Sequence, residues 1–180
     1  MADEKTLLLW ADTETTGLDP DRGALLEVGL RYTDTDLNPL DGGFSTVVGY
    51  HGDVDAFIGN MHGSNGLLAA CAARNAPSLG VAARAARLYV ESRLDEGARV
   101  LLAGSSVAFD RRWLDRWMPG VLDGLHHRVF DVSAIDESYA AWRPDLHVRR
   151  PERTTNHRVD RCLDDSIRLA RRYRDIAWNA

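Results

Sequence analysis

The chain has 180 residues, 44% hydrophobic and 27% charged, with a mean hydropathy of −0.31. That is the composition of one soluble globular domain with a buried core. No apolar run approaches the ~20 residues needed to cross a bilayer, and the net charge of −5 argues against a broad basic surface for binding phosphate backbones.

Met1 to Lys5 is charged and leads into Leu7-Leu8-Leu9-Trp10, a run too short for a signal sequence and read as a buried strand. The strand, Thr6 to Trp10, ends in the polar Asp12-Thr13-Glu14. Leu25 to Tyr32 and Gly43 to Val48 are predicted strands, with turns at Asp19-Pro20, Asn38-Pro39 and Gly42-Gly43, so the first three form an antiparallel meander. Asp53 to Leu68 is weakly helical and interrupted by glycine. Pro77 to Leu94 carries apolar residues at helical spacing, with Ser78 as a candidate cap. Val100 to Ala103 reads as another buried strand. Asp110 to Met118 is a helix with Trp113 and Trp117 on one face, Arg128 to Val132 a short strand, and Ser133 to Trp142 a helix. Pro144 to Asn156 is expected to be a surface loop, and the last helix runs from about Arg158 to Trp178. Strands followed by alternating helix and strand predict an α/β sheet flanked by helices, in a single domain over 1–180. With only Cys71 and Cys162, a disulfide framework is not expected and a reducing cytoplasm fits.

Asp12 and Glu14 are one residue apart, so on an extended strand they project from the same face. Paired carboxylates repel unless solvent or a hard divalent cation relieves them, and these follow directly on a buried strand. Such a metal-binding set would itself lower the net charge. Lys5 is the one lysine among 22 basic residues; the rest are arginines, which suit bidentate phosphate contact, although a GC-rich genome gives the same bias.

The segment Leu9 to Pro20, built around Asp12-Thr13-Glu14-Thr15-Thr16-Gly17-Leu18, resembles the first motif of the DEDD exonucleases. The histidine-bearing branch of that family includes oligoribonucleases and the proofreading subunits of DNA polymerases. The resemblance implies a ribonuclease H-like mixed sheet flanked by helices. It also implies two Mg²⁺ or Mn²⁺ ions held by four carboxylates, with a histidine as general base. Val100 to Leu114 is similar to the second motif, with Asp110 as a ligand, as the cap of its own helix, or as both. Asp131 matches an aspartate that is structural in the family. Gly104 to Trp142 is most similar to oligoribonucleases, with echoes at Met61-His62 and Asp36-Leu37-Asn38. The resemblance places Thr15 and Leu18 at the substrate and Phe57 beside a base, with core packing as the other reading of Leu18 and Phe57. Ser106 and Arg128 would hold the terminal phosphate.

The chain departs from the family in two places. After His157-Arg158-Val159, the implied general base and its flank, the family's last aspartate falls on Cys162. Without a gap, Leu163, Ile167, Ala170 and Tyr173 take the family's apolar helix positions and the fourth carboxylate is missing. With a three-residue insertion, Leu163-Asp164-Asp165 restores the signature, since three residues advance a helix by roughly 300°. Asp165 is the preferred fourth ligand and Asp160 a further candidate. A thiolate is a poor ligand for Mg²⁺. The second departure is His127, where oligoribonucleases carry a tyrosine that reaches across a homodimer; it is either a substitute donor or a solvated loop histidine. The sequence thus leads to a metal-dependent 3′→5′ exonuclease acting on short RNA or single-stranded DNA and yielding nucleoside 5′-monophosphates. The alternatives are a broader trimming or proofreading nuclease, and a module of the same fold that binds nucleic-acid ends without cutting.

Overall fold

The computed structural model describes residues 5–94, 98–147 and 156–179. Five strands, β1 (Thr6–Thr15), β2 (Leu25–Thr33), β3 (Phe44–Val47), β4 (Arg99–Gly104) and β5 (His126–Asp131), form one sheet in the order β3-β2-β1-β4-β5. β1, β2 and β3 make the expected antiparallel meander, and β4 and β5 add in parallel on the other side of β1. Parallel neighbours require crossovers. Helices α1 (Ala56–Ser64), α2 (Leu67–Cys71) and α3 (Leu79–Glu91) lie in the first crossover, and α4 (Ala108–Trp117) forms the second. α5 (Val132–Trp142) and α6 (Val159–Asn179) complete the chain. Among the described residues, no helix is long and apolar enough to cross a membrane.

The strand period of two divides β1 between two cores. Leu7, Leu9 and Ala11 pack with Ala82, Ala86 and Val90 of α3 and with Trp113 and Leu114 of α4. Leu8 and Trp10 point the other way, onto Leu163, Ile167 and Ala170 of α6. Each buried Leu or Ile contributes about 1.5–3 kcal/mol, so both faces hold their helices firmly, as a sheet with parallel strands requires. Gly29 on β2 lets α6 come close: a Cβ there would lie 2.7 Å from Val159 Cβ and 3.0 Å from Leu163 Cδ1.

Several elements differ from the sequence expectation. β1 continues to Thr15, because Asp12, Thr13 and Glu14 remain paired with β2; the acids lie within the strand. The stretch interrupted by glycine resolves into α1, capped by Asp55 accepting from Ile58 N, and α2, which follows a left-handed Gly66. Ser78 occupies the cap position of α3 without a side-chain hydrogen bond. α4 begins at Ala108, so Asp110 sits in its first turn and does not cap it. β5 starts at His126, which puts His127 in an edge strand. Of the expected loop at 144–156, residues 148–155 lie outside the described residues.

Candidate active site

Asp12 and Glu14 share the face of Leu8 and Trp10, so they lie beneath α6. The residue α6 presents to them is Cys162, whose Sγ donates to Glu14 Oε1 at 3.7 Å. One ligand atom from each of Asp12, Glu14 and Cys162 can be chosen so that all lie within 4.8 Å of one another. The register is the ungapped one: Leu163, Ile167, Ala170 and Tyr173 are all buried. Asp165, expected as the fourth carboxylate, is not part of this group; it accepts from Arg168 Nη1 at 2.9 Å. Three residues along a helix leave it about 60° off the direction of Cys162 and some 4.5 Å further down the axis. Asp164 pairs with Arg31, and Asp160 accepts from Ser45 Oγ at 3.3 Å.

Asp110 approaches from the opposite side of β1. Its Oδ1 accepts from Thr13 Oγ1 at 2.7 Å, and it is buried with only 4% exposure. The three acids resist ionisation together. Burial, followed by the negative charges of Asp110 and Glu14, holds the Asp12 carboxyl well above its usual range. Burial and the Glu27 charge push Glu14 up to about 7. Burial likewise pushes Asp110 up to about 7, although hydrogen bonds from Thr13 oppose it. Asp12 Oδ2 is sealed from solvent with no hydrogen-bond partner among the described residues. A divalent cation is the group whose binding would resolve these features together.

His157 is exposed, with a left-handed backbone (φ 54°). Asn65, at the break between α1 and α2, fixes it: Asn65 Nδ2 donates to the carbonyls of Asn156 at 2.8 Å and His157 at 2.7 Å. A residue held in that conformation beside a reactive cluster is characteristic of functional sites. His157 also lines an open cleft of about 790 Å³ with Phe57 and Met61. Phe57 is 73% and Leu18 81% exposed, which rules out core packing for both. Thr15 is buried, its hydroxyl donating to Gly17 O at 2.7 Å, and so shapes the turn that carries Leu18. Ser106, also left-handed (φ 57°), is held by its N–H to Asp131 Oδ1 at 3.0 Å. Asp131 in addition accepts from Val107 N and Ser133 N, the structural role the resemblance gives it. His127 and Arg128 are exposed on β5.

Three residues of the site went unassigned in the sequence. His62 is completely buried, with Nε2 3.5 Å from Glu14 Oε2, and burial, then nearby His157, lowers its pKa. Glu27, directly across from Glu14 in the ladder, accepts from Arg158 Nη2 at 2.6 Å and Nε at 2.9 Å, which ties down the start of α6. Asn65 is the third. An acid in the middle of an apolar strand and an arginine next to His157 were the available signals for Glu27; His62 showed itself only as a motif echo.

The mixed order of this sheet, with acids in the C-terminal half of β1 and a histidine shortly before the last helix, is that of an exonuclease domain, and an exonuclease family pattern matches residues 9–170. The chain belongs to that family. It is 35% identical to the oligoribonuclease of Tropheryma whipplei (strain Twist), over 93% of this chain and 91% of that protein. It is also 35% identical to the oligoribonuclease of Corynebacterium glutamicum (strain R), over 93% and 78%. In three dimensions it is similar to exonuclease I from Methylocaldum szegediense, with a TM-score of 0.66 and 17% identity over 94% of this chain. E. coli exonuclease I in complex with a dA16 oligonucleotide gives a TM-score of 0.67 at 14% identity over 95%. This chain spans 40% and 41% of those exonuclease I chains, and the likeness establishes the ribonuclease H-like fold.

Proposed function

We propose that the chain is a single catalytic domain that hydrolyses short RNA or single-stranded DNA from the 3′ end to nucleoside 5′-monophosphates. The observation that carries this reading is the trio of acids, half-buried Asp12 with buried Glu14 and Asp110, each held above its ordinary pKa, beside a cleft lined by His157. Carboxylate oxygens suit hard divalent ions, two Mg²⁺ or Mn²⁺ in the family's pattern, and Asp12, Glu14 and Asp110 would hold them. Such ions supply a more acidic water and neutralise charge at the reacting phosphate. The chain's own residues do the rest. Leu18 and Phe57 offer apolar surface to the terminal bases, while Ser106 and Arg128 hold the phosphate. His62, whose pKa burial lowers, keeps Nε2 3.5 Å from Glu14 Oε2. His157 takes the proton of the attacking water; oxygen bonds to phosphorus, the P–O3′ bond breaks, and the departing 3′ oxygen gains a proton.

The reading extends to a reducing cytoplasm, since neither Cys71 nor Cys162 is in a disulfide. It extends also to a homodimer, with His127 on the edge strand β5 placed where a second copy could reach. The thiol at position 162 supports a second reading, a module that binds 3′ ends without cutting. Labelled RNA and DNA oligomers of graded length, incubated with the purified protein and Mn²⁺, separate the two. Shortening from the 3′ end, blocked by a 3′-phosphate, is expected; gel-shift binding without cleavage would favour the module, and neither would reject both.

A further inference from the structure

We infer that Cys162 turns one metal position into a mixed thiolate–carboxylate site that selects a thiophilic divalent cation, of the zinc, cobalt or cadmium kind, over Mg²⁺. The inference rests on the proposed exonuclease reading, because it concerns that same site.

Its first support is geometric. A sulfur and an oxygen bound to one tetrahedral ion, at about 2.3 and 2.1 Å, lie about 3.6 Å apart. Neighbouring oxygens on an octahedral Mg²⁺ lie only about 3.0 Å apart. Cys162 Sγ donates to Glu14 Oε1 at 3.7 Å, so an ion of the first kind could replace the thiol proton with little movement of either atom, and one ligand atom from each of Asp12, Glu14 and Cys162 lies within 4.8 Å of the others. The second support is that no acid of α6 takes the place of the thiol. Asp160, Asp164 and Asp165 are engaged with Ser45, Arg31 and Arg168. The burial of Leu163 and Ile167 opposes the rotation of α6 that would bring one of them round. The third lies in the surroundings. Among the described residues, Asp12 Oδ2 and the fully buried His62 Nε2 both lack hydrogen-bond partners, and His62 Nε2 faces Glu14 at 3.5 Å. The pocket is therefore polar and incompletely satisfied, the state in which a buried polar group calls for a further partner.

Sulfur is a soft donor and Mg²⁺ binds it poorly, whereas Zn²⁺, Co²⁺ and Cd²⁺ bind it well. On loading, the thiol releases its proton to solvent. The thiolate then carries the same single charge as the carboxylate it replaces, so the substitution alters which ion binds without altering the charge of the loaded site. Cys71 does not compete: it is wholly buried, donates to Leu26 O at 3.3 Å, and burial pushes its thiol up to about 11.

The test titrates metal-free full-length protein with Co²⁺ and with Mg²⁺. It follows the near-ultraviolet thiolate-to-cobalt charge-transfer absorption and the calorimetric affinity, for wild type, Cys162→Ser and Cys162→Asp. Wild type should show the band. The serine variant should lose it, and Co²⁺ affinity should fall on the order of 10–100-fold, at least what removing an outer-shell partner costs. The aspartate variant should lack the band and gain Mg²⁺ affinity by a similar factor. Absence of the band from cobalt-loaded wild type, or no gain in Mg²⁺ affinity in Cys162→Asp, overturns the inference. Oligonucleotide hydrolysis measured alongside keeps the two readings apart. Cleavage by Cys162→Asp with Mg²⁺ while wild type lacks the band rejects the thiolate site and leaves the exonuclease standing. A band in wild type with no cleavage by any variant and any metal does the reverse.

Discussion

Glu14 and Glu27 are cross-strand partners in the β1–β2 ladder, both buried, at 7% and 4% exposure, yet their electrostatic surroundings are opposite. Glu27 meets the guanidinium of Arg158 through two nitrogens and accepts also from Val159 N. Glu14 meets a thiol and the Nε2 of a buried histidine, and its pKa rises to about 7. A buried charge with a built-in partner is part of the scaffold; one without is a binding site waiting for its counter-ion. The same ladder rung thus divides into one acid that positions α6 and one that α6 is positioned to serve.

The largest effect expected from breaking this contrast is on catalysis. Asp12→Ala or Glu14→Gln should lower the hydrolysis rate by about 10³-fold or more, the scale of losing a preorganised charge at a reacting centre. The same changes should raise the melting temperature measured in EDTA, because they remove a repelling acid. Full activity in either variant at saturating Mn²⁺ would falsify the carboxylate reading. Next in size is the mirror change, Glu27→Gln, which strands Arg158. Removing one partner of a buried pair costs about 3 kcal/mol, or a fall of roughly 6–12 °C in melting temperature. An unchanged melt would mean that Arg158 finds another partner at no cost.

Acidity sharpens the comparison further. In the metal-free protein Glu14 and Asp110 have folded pKa values of about 7, against ordinary values of 4.5 and 3.8. Over that interval the folded state binds more protons than the unfolded state, so stability is fully present below about pH 4 and is lost as pH rises through 7. Melts in EDTA should therefore fall in temperature between pH 5 and pH 7.5, less steeply in Glu14→Gln; a rise would contradict the unpaired state of these acids. Smaller still, Phe57→Ala should raise KM about tenfold with little change in kcat, the equivalent of about 1.4 kcal/mol of stacking. Its melting temperature should not move, since the ring is exposed. At the bottom of the scale, Asp165→Asn should change the rate less than about twofold and stability by about 0.5–1 kcal/mol, since Asp165 is half-buried and its partner Arg168 reaches solvent. A thousandfold loss of rate there would restore the insertion reading of α6.

The order of strands and helices was largely legible because β1, β4 and α6 carry their periods openly: Leu7 to Trp10, Val100 to Ala103, and Leu163, Ile167, Ala170 and Tyr173. Asp12 and Glu14 were legible for the same reason, as two same-face positions continuing a buried strand. What escaped was set by contacts distant in sequence. The choice between Cys162 and Asp165 depends on how α6 lies on β2, not on the local Leu-Asp-Asp string. His62 acquires a role only because α1 folds back over the end of β1, and Glu27 only because Arg158 arrives more than a hundred residues later. The capping alternative for Asp110 fails because the helix gains its first turn from Ala108 and Phe109, residues that carry no start signal.

Gly29 has a consequence for how variation in this chain should be read. It faces Asp12 across the ladder and touches α6 from below, where a single added carbon would overlap Val159. Cys162 rides on the first turn of that helix and His157 two residues before its start. A methyl group at position 29 would therefore lift one wall of the site away from the other while leaving every reactive group in the chain intact. Such a change would register as weakened metal binding and a misplaced base, although the altered residue carries no chemistry of its own. The spacing of the site is kept, in effect, by a hydrogen atom.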